Sequence, residues 1–544
     1  MEQLNSNESV NQNAAKVFLA DNVNPADKIM PAGVIIAQRE TESPLLTKVR
    51  HNFGVFGGIS LIFGLLFTLL FYKASLGFNV FAFTVIMVFL LYIIGRKLSV
   101  PAKNTNLFYY SGAIMLSLSS MLTSSEILQF LNLVGILILL DLSLLHQFYK
   151  DETWDFSRHF GKMLGLLFFS IVSLGKPFVH GVGFMKQIKV LKNDKLRNIF
   201  IGIVISVPLV IIILALLSSA DLLFGELTED IFQFIFSGDV IGVGFMLVFG
   251  FLACYCILCG AVTNVGEESR AQKKKADASI AITVMLILSF VYVLFCGIQV
   301  VYLFANGVSV LPQEFTFAEY ARRGFFELLA VASINIILML LEKTLFQESR
   351  VVSVLITLIT LCTYIMIGSA TYRMLLYISA YHLTFLRVFV LLALFVIALI
   401  LAGVVITEFR KSFPLFRYCV AVIVLPYLIF SFSRPDYYIA KYLIDHVDTL
   451  SYSDMNYLTN ELSLDAAPIV LPVVTDPERW NDNNDKRENE DSIGEYGTMF
   501  YEYAISADEI KEDYFSRINS TQLERKLRDF NYSIYRLESL SIPK

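Results

Sequence analysis

The chain is poor in the residues from which soluble proteins and most active sites are made. Only 17% of its 544 residues are charged, against 56% hydrophobic, and it contains six histidines and two tryptophans. With a mean hydropathy of +0.62, that balance excludes a soluble globular class and points to a polytopic membrane protein. There is no G-x-S-x-G, no H-E-x-x-H, no Walker loop and no G-x-G-x-x-G between a strand and a helix, so no enzyme class is supplied with its motif. No cofactor is expected. The six cysteines (Cys254, Cys256, Cys259, Cys296, Cys362, Cys419) all fall in apolar runs, which suggests neither a disulfide framework nor a soluble zinc site. Cys254 and Cys256 point about 200° apart on a helix, so the triplet with Cys259 cannot face one ion. The N-terminal region lacks a basic segment followed by an apolar one, so the first span is expected to act as the export signal.

Long apolar runs are what the chain does have. At about 20 residues per crossing, eleven spans are expected, near 53–72, 79–95, 107–123, 127–148, 199–218, 240–263, 279–305, 324–342, 351–372, 384–407 and 414–433. The fold class is therefore all-α, a polytopic helical membrane bundle over 53–433. Residues 1–52 are expected to form a disordered tail, and residues 434–544 an acidic, mostly helical domain with a flexible insert near 476–498. Alternate loops carry 20 Lys and Arg against 4 in the other set, so the first set is cytoplasmic by the positive-inside rule. The N-terminus is then inside and the C-terminal domain extracytoplasmic. This count requires the short apolar run 163–174, flanked by basic residues, to be interfacial or re-entrant; if it crosses, twelve spans result and the C-terminus moves inside. The tail from Arg434 holds 12 basic against 22 acidic residues, which argues against nucleic acid as a partner.

Ionisable residues near hydrocarbon are the candidate functional groups, because each is costly unless paired or used. Asp141, well inside the fourth span, is expected to pair with Arg96 or Lys97, with proton or ion handling as the alternative; His146 follows near the inner surface. Glu319, Arg323 and Glu327 are spaced i, i+4, i+8 and form one ladder on a helix entering lipid. Its expected counter-charges are Arg373 or Arg387. Gly54 and Gly58 form a G-x-x-x-G pair that would let a second helix approach closely.

Several runs resemble a bacterial multipass membrane family known only as a domain of unknown function. They are Tyr302-Leu303-Phe304, LLSSADLLF (216–224), TFAEYARRGFFELLAVA (316–332), SATYRMLLYISAYHLTFLR (369–387), RPDYYIAKY (434–442) and YLTNELSLDAAP (457–468). The resemblance covers roughly residue 199 to the C-terminus, and one departure is His382, where a glycine is expected. It implies fold and a bacterial cytoplasmic-membrane host and carries no activity. It also gathers Asp221, Glu319, Arg322, Arg323, Glu327, Arg373, Tyr377, Tyr381 and Arg387 into one charged rim at the outer ends of the spans, as a structural clamp or a binding site. The expected function is a non-catalytic cell-envelope protein that binds, senses or scaffolds an envelope component or partner protein through this rim and the C-terminal domain. A secondary transporter or ion-coupled permease is the alternative. The expected partners are the lipid bilayer and an envelope component or partner protein, and no oligomeric state is specified.

Overall fold

The computed structural model describes residues 43–186, 238–265, 275–304, 325–410, 412–447, 450–476, 507–523 and 527–538, with four isolated positions between 202 and 213. Apart from those four positions, the expected span at 199–218, the loop 219–239 up to Ser237 and most of the insert at 476–498 lie outside the described residues. No strand occurs among the described residues, and ten helices are long and apolar enough to cross a membrane by length and composition.

The first helix, α1 (Pro44–His51), falls where a disordered tail was expected. Ser43 accepts from Leu46 N at 3.1 Å and Pro44 opens the first turn, a pairing that starts helices because neither residue leaves a donor stranded. Leu46 and Val49 are buried, so packing holds the helix. Then follow α2 (Phe53–Phe71), α3 (Phe78–Leu98), α4 (Asn106–Leu122), α5 (Glu126–Phe148), α6 (Phe156–Val172) and α7 (Lys176–Met185). The chain continues through α8 (Gly238–Thr263), α9 (Ala278–Phe304), α10 (Phe325–Leu345), α11 (Arg350–Tyr381), α12 (Phe385–Phe409) and α13 (Leu415–Phe432).

Two apolar cores divide these helices. One gathers Phe56, Leu91, Leu116, Leu139, Tyr255 and Phe416 from α2–α5, α8 and α13; the other gathers Phe325, Ile356, Met366 and Leu394 from α9–α12. The α13 helix joins the first core through polar contacts as well as apolar ones. Ser431 donates to Asn132 Oδ1 at 3.0 Å, Tyr427 donates to the same oxygen at 2.9 Å, and Ser119 and Ser431 share a 2.6 Å bond.

Contacts sort the helix ends into two levels. At the basic end, Ser43 donates to Val262 O and Lys48 reaches Leu98 O at 3.4 Å, which sets the start of α2 beside the ends of α3 and α8. Ala276 N donates to Leu345 O at 2.7 Å, and Ser157 bonds Thr344 at 2.7 Å, so α10 ends here too. At the far end, Tyr72 and Lys73 hold Asp239 at the start of α8. The stretch Phe156–Met185 is apolar enough to cross, yet both its ends touch the basic end. Ser157 lies against α10 there, Cys256 Sγ donates to Ser173 O at 3.6 Å, Lys176 Nζ donates to Thr263 at 2.8 Å, and the Phe184 ring lies over Gly54. Cys256 is two turns from the end of α8, so the bend between α6 and α7 sits only about 10 Å in from that end.

The close helix crossing expected at Gly54 and Gly58 is found elsewhere. A Cβ on Gly54 would meet only the Phe184 ring, and one on Gly58 would meet nothing within 4 Å. A Cβ on Gly64 would instead meet Leu247 O at 2.7 Å, and one on Gly250 would meet Gly64 Cα at 2.9 Å, so α2 and α8 touch backbone to backbone at this pair.

A third core belongs to the C-terminal segment: α14 (Pro435–His446), α15 (Tyr452–Asn456), α16 (Ala467–Val474), α17 (Ala507–Leu523) and α18 (Tyr532–Glu538). Ile439, Leu443, Leu458, Val470, Tyr514 and Leu537 fill it. Ser451 and Asp454 form a reciprocal cap at the start of α15.

Candidate functional site

Two buried carboxylate centres stand out, one at each end of the bundle. At the basic end α5 stops at Phe148, and a short turn over Asp151–Thr153 brings Asp151 back beneath the helix. Its carboxylate is 4% exposed and meets His146 Nδ1 at 2.7 and 2.8 Å. Both oxygens lie on that nitrogen, so Nδ1 carries the proton and donates, and Nε2 faces the Thr105 hydroxyl. Lys103 Nζ approaches at 3.5 Å, His159 Nε2 at 3.6 Å and Arg417 Nη2 at 3.6 Å. His159 is also stacked on Phe416 at 4.2 Å. Burial alone would push the Asp151 carboxyl up; hydrogen bonding by His146, attraction from His159 and the charges of His146 and Lys103 outweigh it and hold the group well below the usual carboxylate range. One acid thus ties together the α3–α4 loop, α5, α6 and α13. Of its members, sequence reading singled out His146 alone.

At the far end the C-terminal segment is seated on the turns of the first core. Asp465, 4% exposed, accepts from the Thr123 hydroxyl, from Ser124 N at 2.8 Å and from Ser124 Oγ at 2.7 Å. Asn531 donates to Thr123 O at 2.6 Å and Ser533 to Leu122 O at 2.8 Å, which satisfies carbonyls left open at the end of α4. Arg528 does the same for α2, reaching Leu69 O at 2.9 Å and Tyr72 O at 2.8 Å. Phe78 N donates to Phe530 O at 2.8 Å. The segment also reaches the second core, where Tyr457 accepts from Phe385 N at 3.2 Å. Asp465 stands inside the run YLTNELSLDAAP, which so supplies part of the seat, and Asp436 of RPDYYIAKY accepts from Ser463 N at 3.2 Å within the segment.

Among the described residues Asp141 is not paired as expected. Both its oxygens are buried without a hydrogen-bond partner there, while Arg96 and Lys97 are exposed and Arg96 lies over Tyr92. Of the charged rim, Asp221, Glu319, Arg322 and Arg323 lie outside the described residues. Glu327 is exposed in the first turn of α10 and, among the described residues, bonds to neither Arg373 nor Arg387. Arg373 reaches Gln299 Oε1 at 3.5 Å. Arg387 is a helix cap: it donates to Tyr381 O and His382 O and lies 4.2 Å over the Tyr377 ring, itself 5.1 Å from Tyr381. Among the described residues no group of three His, Cys, Asp or Glu is placed to hold a metal, and all six cysteines are free thiols.

His382, the departure from the expected glycine, ends α11 at φ 61°, ψ −178°. That region is open to glycine and costs other residues about 1–3 kcal/mol. Glycine gives back roughly 0.5–1 kcal/mol through its looser unfolded state. His382→Gly is therefore expected to stabilise the protein by about 1 kcal/mol, read as a higher Tm in detergent; a lower Tm would mean that the imidazole makes a contact worth more than the strain.

No curated protein and no solved structure matches the chain. One family does, over residues 110–472, which takes in most of α4, α5 to α15, the Asp465 turn and most of α16. The match begins earlier than the recognisable motifs and includes Asp151, His146, His159 and Arg417 as well as Asp436 and Asp465. By that coverage the chain belongs to the multipass membrane family described as Domain of unknown function (DUF4153).

Proposed function

We propose that this is a non-catalytic protein of the bacterial cytoplasmic membrane whose far end faces outward and binds or senses an envelope component or a partner protein. The observation that carries this reading is the seat itself: Asp465, Asn531, Ser533 and Arg528 fix the C-terminal segment on α2, α4 and their turns, while Tyr457 fixes it on α12. A domain held this way transmits an event on its surface to the helix ends beneath it. In this topology α6 and α7 form a re-entrant pair at the cytoplasmic face. Lys186 then leaves from the basic end and α8 starts at the far end, which supports eleven crossings and a cytoplasmic α1.

Orientation is tested by reporters fused after Lys544. A periplasm-dependent reporter is expected to be active there and a cytoplasm-dependent one silent; the reverse result removes the outward-facing domain. The seat is tested by Asp465→Ala, which strands the Thr123 and Ser124 donors. With charged hydrogen bonds worth about 1.5–3 kcal/mol each, the change should cost roughly 3 kcal/mol and open the C-terminal segment to limited proteolysis while the spans stay protected. Uniform protection would mean that the domain is held by its apolar contacts. The transporter reading is favoured by one observation, the Asp141 carboxylate that has no partner among the described residues, and substrate-dependent flux in proteoliposomes would replace the first reading with it.

A further inference from the structure

The acidic C-terminal segment carries one basic, apolar stretch, and it lies at the ends of the spans. Arg525, Lys526, Arg528 and Arg536 fall within 525–536, whose single acid, Asp529, is buried beside Arg528 at 3.5 Å. The same stretch displays Leu527 at 88% exposure, Tyr535 at 56% and Tyr532 at 41%. Its depth is fixed by contacts with the main chain of the spans. Arg528 donates to Leu69 O at 2.9 Å and Tyr72 O at 2.8 Å at the end of α2, Phe78 N at the start of α3 donates to Phe530 O at 2.8 Å, and Ser533 donates to Leu122 O at the end of α4. A Cβ on Gly77 would meet Phe530 O at 2.5 Å, so the stretch rests on bare backbone there. At 1.5 Å per residue the 19 residues of α2 and the 17 of α4 span about 28 and 26 Å, no more than a hydrocarbon layer of about 30 Å. Neither helix has a turn to spare outside the lipid, so the carbonyls at its far end, and whatever caps them, lie at the headgroup boundary.

We propose that the stretch 525–536 is a lipid-binding surface, with Leu527, Tyr532 and Tyr535 set into the far-end leaflet where acyl chains meet headgroups. Tyrosine suits that level because its ring is apolar and its hydroxyl wet. Arginine and lysine suit it because their stems lie along apolar surface while their charges reach the phosphates. Tyr532 already has the Arg434 guanidinium 5.3 Å over its ring. The occupant is lipid, and not a second copy or a protein partner, because the apolar side chains stand level with Leu69 and Phe78 on the outside of the spans, 66% and 38% exposed, while Lys73, 67% exposed, marks the water side. The envelope component that the C-terminal segment contacts is then the bilayer itself. This rests on the proposed function only in placing that leaflet on the outside.

The test reads depth at Leu527→Cys, labelled with a nitroxide in the full chain and reconstituted in vesicles of phosphatidylcholine and phosphatidylglycerol. Collisions with oxygen, which concentrates in lipid, are compared with collisions with a water-soluble nickel chelate present on both sides of the bilayer. Leu69→Cys on α2 and Ser520→Cys on the exposed side of α17 supply the lipid and water references. The unsubstituted chain supplies the background from its own thiols, five of which are buried. The oxygen-to-nickel ratio at 527 is expected to exceed that at 520 by at least about threefold and to approach that at 69. A ratio equal to that at 520 places the stretch in water and overturns the proposal. Low collision with both reagents overturns it too, and means that protein covers the stretch: a second copy if the shielding lifts on dilution into more lipid, a bound partner if it persists. Reversal of the reporter at Lys544 would move the surface to the other leaflet and leave these ratios unchanged. Loss of lipid contact, in turn, leaves the orientation as the reporter finds it.

Discussion

Asp151→Asn is expected to be the most damaging single substitution in the bundle, costing about 3 kcal/mol or more. Removing one partner of a buried charge group typically costs about 3–5 kcal/mol, because the remaining charges stay desolvated without compensation. Here the stranded groups are Lys103, His146, His159 and Arg417. Lys103 and Arg417 keep 33% and 35% of their side chains exposed, so water takes up part of the loss and the lower half of the range applies. Asparagine keeps an oxygen for His146 Nδ1–H, and Asp151→Ala removes that as well, so the difference between the two variants separates the hydrogen bond from the charge. The pH dependence has a definite sign. A carboxyl held below its ordinary value contributes stability that is complete above the unfolded range near 4 and is lost as pH falls through the depressed value. The wild-type chain should therefore show no Asp151-linked change between pH 8 and 5 and a loss only in acid, and Asp151→Asn should lack that acid step. Equal Tm values for wild type and Asp151→Asn at pH 7 would mean that the four bases do not depend on the acid.

This centre was nearly invisible in the sequence, for a physical reason. Lys103 and Arg417 look like any other positive residue in a cytoplasmic loop, and 314 positions separate them. His146 and Asp151 are five apart across a helix end, where the chain leaves α geometry and helical periodicity stops predicting who faces whom. The spans were legible because hydrocarbon thickness dictates their length and composition, whatever they pack against. Side-chain partners carry no such constraint. Gly54 and Gly58 match a packing motif and Gly64 does not, yet Gly64 makes the contact, because the motif reports small residues on a face and says nothing of which face meets a neighbour. At the far end the informative runs were recognised as runs. Their acids could not be matched to Thr123 and Ser124, more than 300 positions upstream in each pairing with Asp465.

Asp141→Leu should move stability the other way from Asp151→Asn, although both remove a carboxylate from the same stretch of chain. The difference is what surrounds the carboxylate. Asp151 has four basic neighbours, whereas both oxygens of Asp141 are buried with no hydrogen-bond partner among the described residues. An aspartate at the centre of a membrane helix costs about 2.5–3.5 kcal/mol on insertion scales, and leucine there gains about 0.5 kcal/mol. Asp141 lies on the basic side of the middle of α5, which reduces the penalty, so a gain of about 2 kcal/mol is expected. The measurement is Tm in detergent together with the protein yield from membranes, since insertion and folding both benefit. A drop in Tm would mean that a cationic side chain beyond the described residues holds the acid, and would restore the paired reading of Asp141. A gain in Tm accompanied by loss of flux in proteoliposomes would have a different meaning. A charge that costs stability and is needed for passage of a solute is a working group of a transporter, and the outward-facing binding protein would then give way to that function.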